Sequence, residues 1–235
     1  MKHLLLSLFF ISCLSFSQTP CENGFAGIYP CSGYDLVSEI SLSTLSATAS
    51  LANDSWGWTD PDTGNEYAIV GYRYGTFIFD VSSIENPIQI ADITGPSMGD
   101  YYFHRDYKTY NHHLYIVNEM YGGDVGMQII DLSPLPDNPP IQLETYNYIG
   151  QSHNLWIDAS GFAFIEHINP DNIHIANLSD PSSPVYEATF GTQGQYCHDI
   201  YTENQIAYVS EGYGNRFGIY DISNLGDIEL LATIP

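Results

Sequence analysis

Apolar residues recur along this chain in short runs of β-branched and aromatic type, separated by clusters of Gly, Pro, Asn and Asp, and helical spacing is almost absent. Runs of roughly four to eight such residues, bounded by turn formers, predict β-strands throughout. One pattern returns four times: Phe77-Ile-Phe-Asp-Val-Ser82, Gln128-Ile-Ile-Asp-Leu-Ser133, His174-Ile-Ala-Asn-Leu-Ser179 and Gly218-Ile-Tyr-Asp-Ile-Ser223. Its polar positions, Asp80, Asp131, Asn177 and Asp221, stand 51, 46 and 44 residues apart. Periods of roughly 40–50 residues are those of β-propeller blades, units that cannot bury their apolar faces alone.

Each unit has the same internal order. A first run (103–108, 196–201) meets a turn at Tyr110-Asn111-His112 or Glu203-Asn204, and a second run follows (113–117, 205–209). A Gly-rich loop (121–123, 212–214) leads to the third run, which ends at the aligned Asp or Asn. Ser133-Pro134 or Asp180-Pro181 then turns into a fourth. Four strands per unit make a blade, so the expectation is an all-β propeller with blades at about 51–97, 98–148, 149–192 and 193–235, behind a leader at 18–50.

The fourth runs lie at 87–93, 140–146, 184–190 and 227–234, and a fifth run of the same character, 37–45, has no other three strands of its own. Propellers commonly close by lending an N-terminal strand to the last blade, which leaves no unpaired edge. Blade four already has a fourth run. The surplus strand therefore predicts a larger ring, of which this chain is a C-terminally truncated arc. The alternative is a four-bladed ring with 37–45 wrapped outside it.

Lys2-His3, the apolar run from Leu4 to Leu14 and the small residues Ser15 and Ser17 make residues 1–17 read as a secretory signal peptide, and hence the chain as secreted or displayed at the cell surface. Cys13 opens a lipoprotein alternative, but Phe10 fits a lipobox poorly. No run is long enough to insert as a membrane span. Lys and Arg total 5 against 28 Asp and Glu, giving a formal net charge of −23. Such a surface repels phosphate backbones and anionic lipids, which argues against nucleic-acid and membrane partners. It suits an extracellular protein in salty or divalent-rich water. Export permits disulfides, and Cys21 and Cys31, bracketing a short Gly- and Pro-containing segment, are paired. Cys197 is left over, as a buried thiol or as a metal ligand or nucleophile.

The string Asn53-Asp-Ser-Trp-Gly-Trp-Thr-Asp-Pro-Asp-Thr-Gly-Asn-Glu-Tyr-Ala-Ile-Val-Gly71, followed by Gly75-Thr-Phe-Ile-Phe-Asp-Val81, resembles the bacterial choice-of-anchor B proteins, which carry LVIVD-type repeats. Arg105-Asp106, Gly126-Met-Gln-Ile-Ile-Asp-Leu132, Ser152-His-Asn154 and the Cys21 to Cys31 leader fit the same pattern. The likeness covers nearly all of the mature chain. It implies a secreted or cell-surface propeller of unassigned activity, attached through a variable C-terminal segment that would follow the residues present. The resemblance supplies no chemistry, so function rests on the residues.

Three first strands carry His beside an acid or amide: His104-Arg105-Asp106, His153-Asn154 and His198-Asp199, with Asp54-Ser55-Trp56 in the first unit. First strands are innermost in a propeller, so these side chains converge on one channel mouth, where imidazoles and carboxylates suit a divalent transition metal. Alternatively they satisfy backbone groups and tie blade to blade. Counted from the aligned acid, His104 lies two residues back and His153 and His198 one, so they need not share a face. A second column follows the second strands: Glu119, Glu166 with His167, and Glu211. The metal candidates are His104, Asp106, His153, His198, Glu119 and Glu166, and the catalytic candidates His153, His198, Asp199 and Glu211. Paired carboxylates about 5–10 Å apart would suit glycoside hydrolysis. Asp60, Asp62 and Glu66 alternate around Gly64 as calcium ligands do, or form a plain hairpin turn. Trp56, Trp58 and Trp156 line a carbohydrate or peptide groove, or pack between blades. No nucleophile elbow, phosphate loop, dinucleotide fingerprint or Cys-x-x-Cys pair is present. The sequence thus favours a binding module for an extracellular protein or glycan, with Ca2+ or another divalent metal as the possible cofactor. The alternative is a metal-dependent hydrolase or lyase with its His/Asp/Glu site at the channel.

Overall fold

The structure, a computed structural model, describes residues 18–46, 51–96, 104–120, 125–168, 171–192 and 194–235. The expected signal peptide, Cys13 and the loop at 121–123 lie outside them. Each repeat folds into one antiparallel four-stranded sheet whose strands pair in sequence order. Blade 1 runs Ala52–Thr59, Glu66–Tyr72, Gly75–Asp80, Ile88–Thr94, and blade 2 runs Arg105–Tyr110, His113–Asn118, Gln128–Asp131, Ile141–Gln142. Blade 3 comprises Ser152–Ile157, Phe162–Ile168, Asp171–Asn177, Val185–Phe190, and blade 4 comprises Cys197–Glu203, Ile206–Glu211, Arg216–Asp221, Glu229–Ile234. First strands of successive blades pack against one another, so they are the inner strands.

The repeated motif has a local physical cause. Asp80, Asp131, Asn177 and Asp221 each accept a hydrogen bond, at 2.8–2.9 Å, from the backbone N–H two residues on, at Ser82, Ser133, Ser179 and Ser223. This Asx turn ends the third strand and aims the chain into the outer one. The aliphatic residue between them donates its own N–H back to the turn that opens the second strand, as Leu132 does to His112 and Leu178 to Gly161. Leu132 and Leu178 are buried. One tripeptide thereby caps a strand, closes a turn and fills the core.

Three apolar layers join the blades. Trp58, Ile69 and Ile78 meet Tyr107, Leu114 and Ile130 between blades 1 and 2. Tyr115, Val117 and Ile129 meet Leu155, Ile165 and Leu178 between blades 2 and 3, and Phe164, Ile173 and Ile175 meet Ile200, Val209 and Tyr220 between blades 3 and 4. Indole N–H bonds repeat across these seams: Trp56 to Thr109 and Trp156 to Thr202, both 3.0 Å.

The leader departs from expectation. Residues 37–41 join no sheet, and Leu42–Leu45 is one helical turn rather than a strand that closes the ring. The Leu-Ser alternation reads as a strand, yet Leu42 and Leu45 are also three apart, and that helical spacing lets both pack on Tyr72, Phe77 and Phe79 of blade 1. Cys21 and Cys31 are bonded, with Cα atoms 5.9 Å apart, beside a two-stranded hairpin, Phe25–Ala26 with Tyr29–Pro30. The outer strand of blade 2 is shorter than its sequence run: two residues, then a single bridge from Tyr146 to Met127.

Removing an Asx-turn acceptor should cost about 1–2 kcal/mol, because Asp131 accepts from both the N–H and the hydroxyl of Ser133. The expected result for Asp131→Ala is a melting temperature lower by about 3–6 °C, read by thermal unfolding.

Candidate functional site

The inner strands of blades 1, 3 and 4 are bulged near their starts, between Ala52 and Ser55, Ser152 and Leu155, and Cys197 and Asp199. A bulge adds one residue and re-aims side chains. Blade 2 has none in its inner ladder, so His104 sits just ahead of its strand. The extra residues cancel the difference in spacing counted along the sequence, and the three histidines do meet. His104 and His153 stack with ring centroids 4.5 Å apart and planes 19° apart; His153 and His198 are 4.6 Å apart at 56°. Tyr196 approaches His153 edge-on at 5.6 Å.

Glu119 holds this stack. Its Oε1 lies 2.5 Å from His153 Nδ1, and its main-chain oxygen accepts from the Gln151 amide at 2.6 Å. Burial pushes the Glu119 carboxyl up, but the His153 bond and the nearby imidazoles outweigh that and leave it below its ordinary value. An ionised Glu119 accepts a hydrogen bond from His153 Nδ1–H, which leaves Nε2 as the unprotonated nitrogen of a neutral ring. Burial, reinforced by His153, lowers the His104 pKa.

Asp54, Asp106, Asn154 and Asp199, one from each blade, form a polar belt beside the histidines, and together they line a cleft of about 490 Å³. Asp106 accepts from Leu155 N–H of the next blade at 2.8 Å. Asn154 donates to Asp199 at 3.3 Å, and Asp199 accepts from Ile200 N–H at 2.8 Å. Lys108 Nζ pairs with Asp106 at 2.9 Å and sits 4.5 Å above the Trp56 ring. Burial drives the Asp106 carboxyl up to about 6; Lys108 opposes this and the facing Asp54 adds to it. Trp156 and Tyr201 complete the wall. The acids tie blade to blade, and the imidazoles are left facing one another.

The glutamates do not form one column. Ile116, Ile165 and Val209 hold equivalent positions, opposite Tyr107, Leu155 and Ile200. Glu166 follows by one residue, Glu211 by two and Glu119 by three, so they stand at three different heights, with Glu211 on the opposite face from the other two. Glu211 is buried and bound at 2.5 Å by both Arg216 Nε and Tyr220 Oη, an ion pair internal to blade 4. Glu166 is buried with neither oxygen hydrogen-bonded in good geometry; burial, then Asp199, raises its pKa well above the usual range. Cys197 lies beside it as a buried free thiol whose pKa burial also pushes up, which disfavours the thiolate a nucleophile needs.

Among the described residues, the axial acids and histidines bring no three ligand atoms within 4.8 Å of one another. The expected calcium set is also rearranged. Asp60 caps its own turn, accepting from Asp62 N–H at 3.0 Å and Thr63 Oγ1 at 2.6 Å. Glu66 opens the second strand and stays out of the donor cluster, and His112 of blade 2 takes its place beside Asp60 and Asp62. Sequence reading missed Tyr196, Gln151 and Lys108. Lys108 had a signal: in a chain with 5 Lys and Arg, a lysine on an inner strand is itself unusual.

Repeated four-stranded sheets, packed face to face with first strands innermost, define a β-propeller arc with a polar cleft at its axis. The fold recurs in solved structures. A functionally unknown protein from Desulfotomaculum acetoxidans matches with a TM-score of 0.57 at 16% identity, over 78% of this chain and 56% of that one. The periplasmic gluconolactonase of Pseudomonas aeruginosa matches with a TM-score of 0.55 at 13% identity, over 76% of this chain and 53% of that one. This chain thus spans about half the length of either. No family model and no curated protein matches it.

The raised Asp106 value has a sign that can be measured. A folded pKa of about 6, above the free aspartate value of about 4, means that the fold binds an extra proton between those limits. That stabilisation is present below pH ~4 and lost as pH rises through ~6. Wild type should lose on the order of 2 kcal/mol relative to Asp106→Asn between pH 4 and 6.5, by urea unfolding. A difference that stays flat would mean that Asp106 ionises as it does in water.

Proposed function

We propose that this chain is a secreted or cell-surface propeller of the choice-of-anchor B type, with LVIVD-type repeats, that binds an extracellular ligand at its axial cleft. One observation carries the reading. The acids Asp106 and Asp199 are engaged by backbone N–H groups of the scaffold, whereas three imidazoles and the edge formed by Trp156 and Tyr201 are presented to the cleft. Acids held in this way brace a surface rather than transfer protons. With a net charge of −23, the surface selects against anions. A neutral glycan fits best: sugar C–H faces stack on aromatic rings, and hydroxyl groups bond to imidazole and amide.

Affinity electrophoresis through gels containing neutral polysaccharides tests this. His198 and Tyr201 line the cleft and are exposed, so His198→Ala and Tyr201→Ala should fold and bind about 10-fold more weakly, the loss of one good hydrogen bond or one stacking face. Retardation unchanged in both variants would move the site elsewhere.

The Glu119–His153 pair favours a second reading. A carboxylate on one imidazole nitrogen is how metal-binding histidines are oriented, and a metal-dependent hydrolase or lyase would use His104, His153 and His198 after their rings turn. One equivalent of manganese, iron or zinc in the purified chain, lost in His153→Ala, would establish that reading over pure binding.

A further inference from the structure

At the far end of the inner strands from the histidine stack, two hairpin turns of neighbouring blades face each other. The blade 1 turn presents Asp60 and Asp62, and the blade 2 turn presents His112, whose Nε2 lies 3.5 Å from Asp60 Oδ1 and 3.1 Å from Asp62 Oδ2. We propose that Asp60, Asp62 and His112 form a binding site for a divalent transition metal of the zinc class, bridging blades 1 and 2. Among the described residues this is the group whose ligand atoms all lie within 4.8 Å of one another.

Distances and chemistry support it. Donors around a tetrahedral zinc, at roughly 2.0–2.2 Å from the ion, stand about 3.3 Å apart. The two His112 distances bracket that value. At Glu119, by contrast, the imidazole and carboxylate are aligned as a hydrogen-bonded pair and close to 2.5 Å. His112 Nε2 is sealed from solvent between the two carboxylates yet makes a hydrogen bond of good geometry to neither. A nitrogen shared between two acids in this way is placed as a ligand.

The surroundings hold the donors still. Trp58 packs edge-on against His112 at 5.9 Å, and its indole N–H bonds to Asn111 O at 3.1 Å, fixing the turn that carries the imidazole. Asn111 has a φ of 52°, the left-handed turn conformation that asparagine tolerates. Asp60 is covered by its own turn, and bonds from Thr63 Oγ1 and the Asp62 N–H fix its carboxyl group in place. Asp62 is 79% exposed and leaves the site open on one side, where water completes the tetrahedron. Calcium takes six to eight oxygen ligands and fits two acids and an imidazole poorly.

The test uses the full chain, stripped with chelator and titrated with zinc chloride by calorimetry. One equivalent should bind, weaker by at least about 100-fold in Asp62→Asn and in His112→Ala. Asp62 lies at the surface, so its variant should keep the fold. Zinc at 100-fold above its Kd should raise the wild-type melting temperature by about 5–10 °C, and millimolar calcium should leave the isotherm unchanged. His198→Ala must retain this equivalent, which separates the site from the axis. No zinc bound by wild type overturns the proposal. So does binding that survives in both turn variants, or binding lost in His198→Ala instead.

Discussion

A four-stranded sheet of this composition carries two apolar faces and can bury neither against itself. Everything else in the molecule follows from how those faces meet. Phe164, Ile173 and Ile175 of blade 3 disappear against Ile200 and Val209 of blade 4, and the same exchange occurs at the two earlier seams. Each fully buried side chain of this kind contributes roughly 1.5–3 kcal/mol, so the seams set the angle between sheets. Blade 1 has its other face partly covered by Leu42 and Leu45 of the leader. On blade 4, Tyr208, Phe217 and Ile234 stand where blade 3 has Phe164, Ile173 and Phe190, and they are exposed. The seam angle also fixes the axis: imidazoles from three blades can stack within 4.6 Å only because the sheets behind them cannot slide.

Most of the fold was legible in the sequence because the repeat has a local cause. An Asp or Asn followed by an aliphatic residue and a serine is the signature of one Asx turn, and it marks the end of every third strand from Asp80 to Asp221. What local pattern does not contain was lost. The Leu-Ser alternation before Ser46 suits a strand as well as a helical turn, and only its contact with Phe77 decides between them. Period-two counting fails through a bulge, so the meeting of His104 with His153 and His198 looked doubtful when it is the centre of the site. Glu119, Glu166 and Glu211 resembled a column because each follows or ends a second strand, although they stand at different offsets along it. His112 could not be assigned to Asp60 from sequence, because the pair lies in different blades and depends on the seam between them.

The acidic excess takes on structure here. On most of the surface it is dispersed charge, but at the inner strands Asp106 reaches across to Leu155 and Asn154 to Asp199, so polar bonds run along the axis where apolar packing is thinnest. Carboxylates thereby do for the hub what Phe and Ile do for the seams.

Each blade in such an arc feels only its immediate neighbours, so opening can begin at one end and travel sheet by sheet. The stack of His104, His153 and His198 is an exception to that locality, since any molecule resting on it touches three blades at once. Occupancy would add a coupling that skips over a seam. A chain of loosely communicating units would then melt as one cooperative body, its order held at the hub rather than passed along the rim.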